Sequence, residues 1–331
     1  MPRLRNAAAC ERAVNHAVKW LKTRYGDDEE WSNHSQPLLT YHKLPYLFAI
    51  TGNQEQCRRA LTWIKANLFT DRGDFLAAPA EEGKPPARAA VREKAWVALA
   101  AQITGRFDIS LPAARFLASR QGGATGGVYE AGAQGLADAA DVRSTACAGF
   151  VFLHGGLLSE ARGAGRFLVR AMELQVEEDR FYLRLDGQGR QVTSFPRAQA
   201  DSRVVIKTHR RPFLSYLGTP AVFLTKFHLA TGEEEWLEAA MDYWGFAERC
   251  GADGLASDDS AFLAWGAACL YSITRRRIYY DSAERVAQAW IERQKSDGTW
   301  RAHGATRDVA ATLALTAQTG LCLAEALREA Q

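Results

Sequence analysis

No apolar run in the sequence approaches the ~18–20 residues that a membrane-spanning helix needs. The opening stretch MPRLRNAAACERAVNHAVKWL has neither the long apolar core nor the small-residue cleavage site of a secretory leader. The expectation is a cytoplasmic chain without an integral membrane segment. An excess of one charge is also missing. The formal net charge is +3, and the basic clusters KTHRR (207–211) and RRR (275–277) are short. Such runs are ordinarily solvated faces, so no nucleic-acid partner is expected. Cysteine is sparse and scattered: Cys10, Cys57, Cys147, Cys250, Cys269 and Cys322 form no C-x-x-C pair. That argues against a disulfide framework or zinc site and for buried thiols. There is no Gly-x-Gly-x-x-Gly turn after a strand, no phosphate-binding loop, no Gly-x-Ser-x-Gly and no His-Glu-x-x-His. Nothing therefore calls for a nucleotide cofactor, a serine nucleophile or a catalytic zinc, and no cofactor and no metal are expected.

What is present is repetition. Thr-Gly recurs after apolar helical text at 51–52, 104–105, 231–232 and 319–320, with Gly155-Gly156 in the same role; a glycine just past the last apolar turn stops a helix. An aromatic follows at a constant offset of twelve residues: Thr51 to Trp63, Thr104 to Phe116, Gly155 to Phe167 and Thr231 to Tyr243. A fixed loop followed by a helix entering at a fixed phase explains the constancy. Six amphipathic helices are expected near 11–25, 54–68, 110–121, 160–175, 234–250 and 282–295. Six others, near 36–51, 89–104, 142–155, 212–231, 258–273 and 308–328, are apolar on most sides (EKAWVALAAQI, SAFLAWGAACLYSI) and must be surrounded by protein. Six inner and six outer helices make an all-α (α/α)6 toroid of six helical hairpins, a single domain over 1–331. Alternation around Asp-Gly in RFYLRLDGQGRQVTSF adds a small β-hairpin insertion near 180–206.

FLASRQGGATGGVY (116–129) and WIERQKSDGTW (290–300) share an aromatic, an aliphatic, Arg-Gln, a glycine turn and a closing aromatic. WIKANLFTDRGDF (63–75) is a weaker copy, and FLVRAMELQVEEDRFY (167–182) keeps the spacing without the glycine. This pattern resembles the QW motif of the squalene-hopene and terpenoid cyclases, and the related toroids of protein prenyltransferase β-subunits. The resemblance covers the whole chain as architecture and implies the toroid fold with a central cavity. Class II terpene cyclases carry Asp-x-Asp-Asp-Thr-Ala, whose middle acid protonates an alkene or epoxide. The nearest text here is ASDDSA (256–261), in which Ala256 and Ser260 depart from the pattern. Asp258 then falls on the protonating position and Asp259 beside it. N-capping of the following helix explains the same pair of residues. The Asp-x-Cys zinc ligands of the prenyltransferases are missing.

In such a ring the N-termini of the inner helices converge on one mouth, and their first turns are rich in chemistry. They carry Tyr41, His42 and Lys43; Arg88, Arg92, Glu93 and Trp96; Asp141 and Arg143; His209, Arg211 and Tyr216; Asp258, Asp259 and Trp265; Arg307 and Asp308. Arginines and helix N-termini favour an anionic or enolate-like oxygen. Asp258, Asp259, His42, His209 and Tyr41 are the candidates for moving protons. The remaining residues would bind a small-molecule substrate, with aromatics as an apolar wall. Cross-repeat ion pairs and core packing are the plainer roles for the same side chains. His16, His34, His154, His228 and His303 fall elsewhere and are expected to be structural or exposed.

The leading expectation is a cofactor-independent cyclase or isomerase of a largely apolar metabolite, terpenoid or polyketide-like. A carbohydrate-active (α/α)6 enzyme (an epimerase, hydrolase or lyase) is the alternative, and a non-catalytic binding module the third.

Overall fold

The computed structural model describes residues 4–25, 36–80, 86–130, 139–304 and 308–330. Helix α1 (Ala7–Tyr25) is the first outer helix. The first inner helix is broken into α2 (Leu38–Tyr41) and α3 (Leu44–Ile50). Pro45 sits in the first turn of α3, where its missing N–H costs nothing, and the turn at His42-Lys43 precedes it. Outer and inner helices then alternate: α4 (Gln54–Asn67), α5 (Val91–Ile103), α6 (Phe107–Ser119), α7 (Val142–His154), α8 (Leu158–Glu173), α9 (Ser215–Thr231) and α10 (Glu234–Glu248). The short α11 (Gly251–Leu255) leads to α12 (Ala261–Thr274), α13 (Arg277–Arg293) and α14 (Val309–Glu329). The inner helices pack in the circle α3, α5, α7, α9, α12, α14 and back to α3, and α1 lies against α14 to complete the outer layer. This is the (α/α)6 toroid.

Burial follows the sequence patterning. In α12 every residue from Ala261 to Tyr271 is buried, whereas α13 buries one face through Tyr280, Ala283, Val286, Ala287 and Trp290. Small residues set the spacing of the inner ring: a Cβ on Gly218 of α9 would lie 2.7 Å from the Cβ of Phe262 in α12. By length and hydropathy α14 is apolar enough to cross a membrane, a test that the sequence reading applied too strictly; 72% of its apolar window is buried by the other helices. All six cysteines are buried and unpaired.

The two strong QW-like copies build the same joint. Gln121 Nε2 donates to the Gly126 carbonyl and to the Glu160 carbonyl of the next outer helix, both at 2.9 Å. Gln294 Nε2 donates to Gly298 O at 3.0 Å and to Ala13 O of α1 at 2.8 Å. The turn glycines have positive φ, +74° at Gly126 and +89° at Gly298, and press on the backbone of the neighbouring helix. A Cβ there would meet Gly163 O at 2.1 Å or His16 O at 2.6 Å. The residue closing each joint ties inward: Val128 N–H donates to Thr145 Oγ1 and Trp300 N–H to Thr316 Oγ1, each at 3.1 Å.

The β insertion is present where expected, with a different pairing. Strand β1 (Ala139–Asp141) pairs antiparallel with β3 (Arg184–Asp186), and β2 (Arg180–Tyr182) pairs with β4 (Val204–Ile206). The Asp-Gly hairpin survives only as a bridge between Leu185 and Gln191. β1 takes one edge of β3 while the return segment bonds the other only around Leu185, and Leu183 O accepts from Val142 N–H at 3.1 Å. The insertion is thereby fastened to the N-terminus of α7 and steadies the residues that follow it.

Candidate functional site

A cavity of about 470 Å³ lies at the mouth where the inner helices begin. Its lining comes from the first turns of every inner segment: His42 and Lys43 between α2 and α3, Arg92 and Trp96 of α5, Arg143 and Cys147 of α7, Ser215 and Thr219 of α9, Asp258, Asp259 and Phe262 at α12, and Ala310 to Gln318 along α14. Aliphatic wall is added by Leu39, Ala302, Ala311, Ala314 and Leu315, and an aromatic edge by Phe213. Below Trp96 and Phe262 the ring is filled. Trp265 stacks on Phe150 with centroids 6.0 Å apart, and Trp96 packs against both. The toroid therefore has a floored cup at one end, the size of one small molecule.

The two acids of the partial motif do not cap α12. Its N-cap is Ser260, which makes no side-chain cap bond. Instead the carboxylates are held by neighbouring elements. Asp259 Oδ2 accepts from Ser215 Oγ at 2.5 Å and Oδ1 from Gln318 Nε2 at 2.8 Å. Asp258 Oδ1 accepts from Arg293 at 2.8 Å and approaches His303 Nδ1 at 2.6 Å, while Oδ2 accepts the His303 backbone N–H at 2.9 Å. Both oxygens of Asp258 are thus committed to protein donors. Ser215 also accepts from Arg143 at 2.9 Å, so a chain of hydrogen bonds runs from α7 through α9 and α12 to α14.

Three cations share the cavity with these acids: Lys43, Arg92 and Arg143. His42 Nδ1 meets the Leu39 carbonyl at 2.8 Å, which assigns its proton to Nδ1, and Nε2 then accepts from Lys43 Nζ at 2.9 Å. Burial, with Lys43 and Arg92 beside it, holds His42 well below the usual histidine range, so it is neutral. Lys43 is lowered to about 8 by burial first, then by the like charges of Arg92 and Arg143, against a smaller opposing pull from Asp259. Arg143 lies over the Tyr216 ring at 3.9 Å and donates to its hydroxyl at 3.0 Å. Arg92 pairs with Glu93 at 3.2 Å.

Other candidates fall away from the cup. Tyr41 is fully buried between Tyr25 and Trp63. His209 is exposed in the turn after β4, and Arg211 follows it with a φ of +67°; neither lines the cavity, so His42 and His209 do not oppose each other across it. Glu93 caps α5 through the Ala90 N–H. Asp141 caps α7 through the Ser144 N–H and Asp308 caps α14 through the Ala311 N–H. Trp265 supports the floor from below. Arg307 and His34 lie outside the described residues.

Sequence reasoning left out Gln318, Ser215 and Arg293, and it placed His303 elsewhere. Ser215 could have been found as the first residue of an inner helix. Gln318 lies nine residues into α14 and carries no local signal. His303 occupies the loop before the last inner helix, a place the repeat pattern itself marks.

No family model matches the chain, and no curated protein matches it. Solved structures do. A D-mannose isomerase is similar at a TM-score of 0.72 and 10% identity, over 97% of this chain and 96% of that one. A GH76 alpha-mannanase of Bacteroides thetaiotaomicron gives 0.69 and 12%, over 96% of both. The apo type II terpene cyclase MstE of Scytonema gives 0.65 and 12%, over 97% and 99%. At such identities the likeness is one of fold: three differently named enzymes share the same ring.

Proposed function

We propose that the chain is a cofactor-independent isomerase or cyclase that moves a proton on a small, largely apolar metabolite bearing one anionic or enolisable oxygen. The observation that carries this is the make-up of the cup. One carboxylate, Asp259, is aimed and held by Ser215 and Gln318, and it shares a cavity of aromatic and aliphatic walls with the cations Lys43, Arg92 and Arg143.

Arg92 and Arg143 hold the substrate oxygen. As a proton leaves the adjacent carbon, negative charge grows on that oxygen, and preorganised cations stabilise it most at that moment. Asp259 takes the proton and returns it at a neighbouring atom. Its two recorded hydrogen bonds leave lone pairs free for this. Asp258, occupied by Arg293 and His303, orients the imidazole of His303 at the lip rather than protonating substrate. A cyclisation on this site would accordingly run through Asp259.

The test is exchange with deuterated water. Candidate ketones, keto acids and enolisable acids are incubated with the protein, and deuterium at carbon is followed by NMR. The expected result is uptake with the native chain and loss of uptake in Asp259→Asn. Equal exchange in both would remove the reading. The alternative, action on a carbohydrate, is supported by the polar wall of Lys43, Arg92, Arg143, Asp258, Asp259 and Gln318, which offers partners to several hydroxyls. The aliphatic lining of Ala302, Ala310, Ala311, Ala314 and Leu315 offers none. Exchange at C2 of mannose in the same experiment would favour it.

A further inference from the structure

We infer that Lys43 is a nucleophile, and that the cup takes aldehydes and ketones carrying a carboxylate or similar anion and binds them as an imine. This deepens the proton-transfer reading and rests on it. Four arrangements point the same way. Lys43 stands at the break between α2 and α3, so its amine reaches the cavity from a fixed turn rather than from a mobile surface arm. His42, the adjacent residue, is locked with its proton on Nδ1 and presents Nε2 as an acceptor 2.9 Å from Nζ. The ion pairs of the site belong to other groups: Arg293 serves Asp258, and one guanidinium nitrogen of Arg92 serves Glu93, leaving its others free among the described residues. Lys43 is left without an ion-pair partner within reach among the described residues, in the company of two arginines.

The groups facing it are Arg92 and Arg143, which disfavour its charged form, and Asp259 and Cys147, which favour it; Cys322 lies within its field and His42 in contact. Burial leads, and the amine is lowered to about 8, where an appreciable fraction carries its lone pair at neutral pH.

The step balances without an oxidant or reductant. The Nζ lone pair attacks the carbonyl carbon, the π pair moves to oxygen, and one amine proton ends there, giving a carbinolamine. Loss of water, with one proton taken up, leaves the protonated imine. That cation acidifies the neighbouring C–H, which Asp259 then removes. Arg92 and Arg143 remain to hold the anionic group of the substrate.

The experiment labels the whole chain with glyoxylate and sodium cyanoborohydride and maps modified lysines by peptide mass spectrometry. The expected result is at least ten-fold more label on Lys43 than on any other lysine at pH 8, with a half-maximal rate near that pH. Lys43→Met, checked for folding by circular dichroism, should fall to the background of the remaining lysines. Even labelling across lysines, or a Lys43 midpoint near the ~10.4 of a surface amine, would overturn the inference. The readout concerns the amine alone. Its failure leaves proton transfer by Asp259 standing, whereas failure of the deuterium test with labelling intact removes only that reading.

Discussion

The joints between outer helices and the cup inside the inner ring are built on opposite plans. A joint is made once and copied. Gln121 and Gln294 bond the same pair of backbone carbonyls, beside a positive-φ glycine pressed on the next helix. The cup is made of six equivalent positions, each filled differently: a His-Lys turn, an arginine, a second arginine, a serine, an aspartate pair and an alanine-rich helix. The scaffold repeats because its chemistry is that of the backbone, identical in every hairpin. The cup does not repeat because the proposed proton transfer needs unlike groups brought together. Change at a joint should cost stability, and change in the cup should cost turnover.

The largest effect expected is in the cup. Asp259→Asn should lower turnover on the order of 10³-fold, and thermal melting should show the ring still folded; a collapse in melting temperature would blur the division. At the joints, Gly126→Val combines a left-handed backbone with a Cβ 2.1 Å from Gly163 O. A loss of roughly 3 kcal/mol or more is expected in urea unfolding. Gly105→Ala is the matched control: its φ is +75° but nothing lies within 4 Å, so only about 1 kcal/mol should be lost. Gln294→Leu removes two bonds to buried carbonyls and should cost about 2 kcal/mol, readable by the same titration, with kcat unchanged.

One effect on stability runs the other way. Lys43 sits at about 8 when folded against an ordinary 10.5, so between those values the unfolded chain binds more protons than the folded one. Stability should therefore rise with pH through that window, and the penalty of burying the ammonium is fully present below about pH 8. Lys43→Met should stabilise the ring by up to about 3 kcal/mol at pH 7 and flatten its pH dependence between 8 and 10.5, while lowering activity. Denaturation at several pH values checks it.

The joints were legible in sequence for the reason they repeat: a Gln is followed four or five residues later by a turn glycine, and each has a backbone duty, although the position that answers Trp300 is Val128 rather than the aromatic Tyr129. The inner helices were legible from their all-round apolarity. Apolarity alone would let α14 pass for a membrane span, because a helix inside a ring meets as little water as one inside a bilayer. The site was only half legible. The first turns of the inner helices do meet at one cavity, yet successive helical residues point ~100° apart. Tyr41 accordingly enters the layer against α4 while the adjoining turn carries Lys43 into the cup. Asp258-Asp259 reads equally as cap or site until Ser215 and Gln318, 44 and 59 residues away from Asp259, are brought to it. His303 was passed over because its partner Asp258 lies 45 residues upstream.

The contact of Gln294 with Ala13 spans 281 positions in the chain. It ties the end of α13 to α1, and α14, which carries Gln318, packs against both α1 and α3. Without that seam the apolar face of α1 would lack its inner neighbour α14. Closing the ring is therefore a long-range contact, of the kind that forms slowly. The cup draws its lining from residues as far apart as Leu39 and Gln318, so the whole lining exists only in the closed ring.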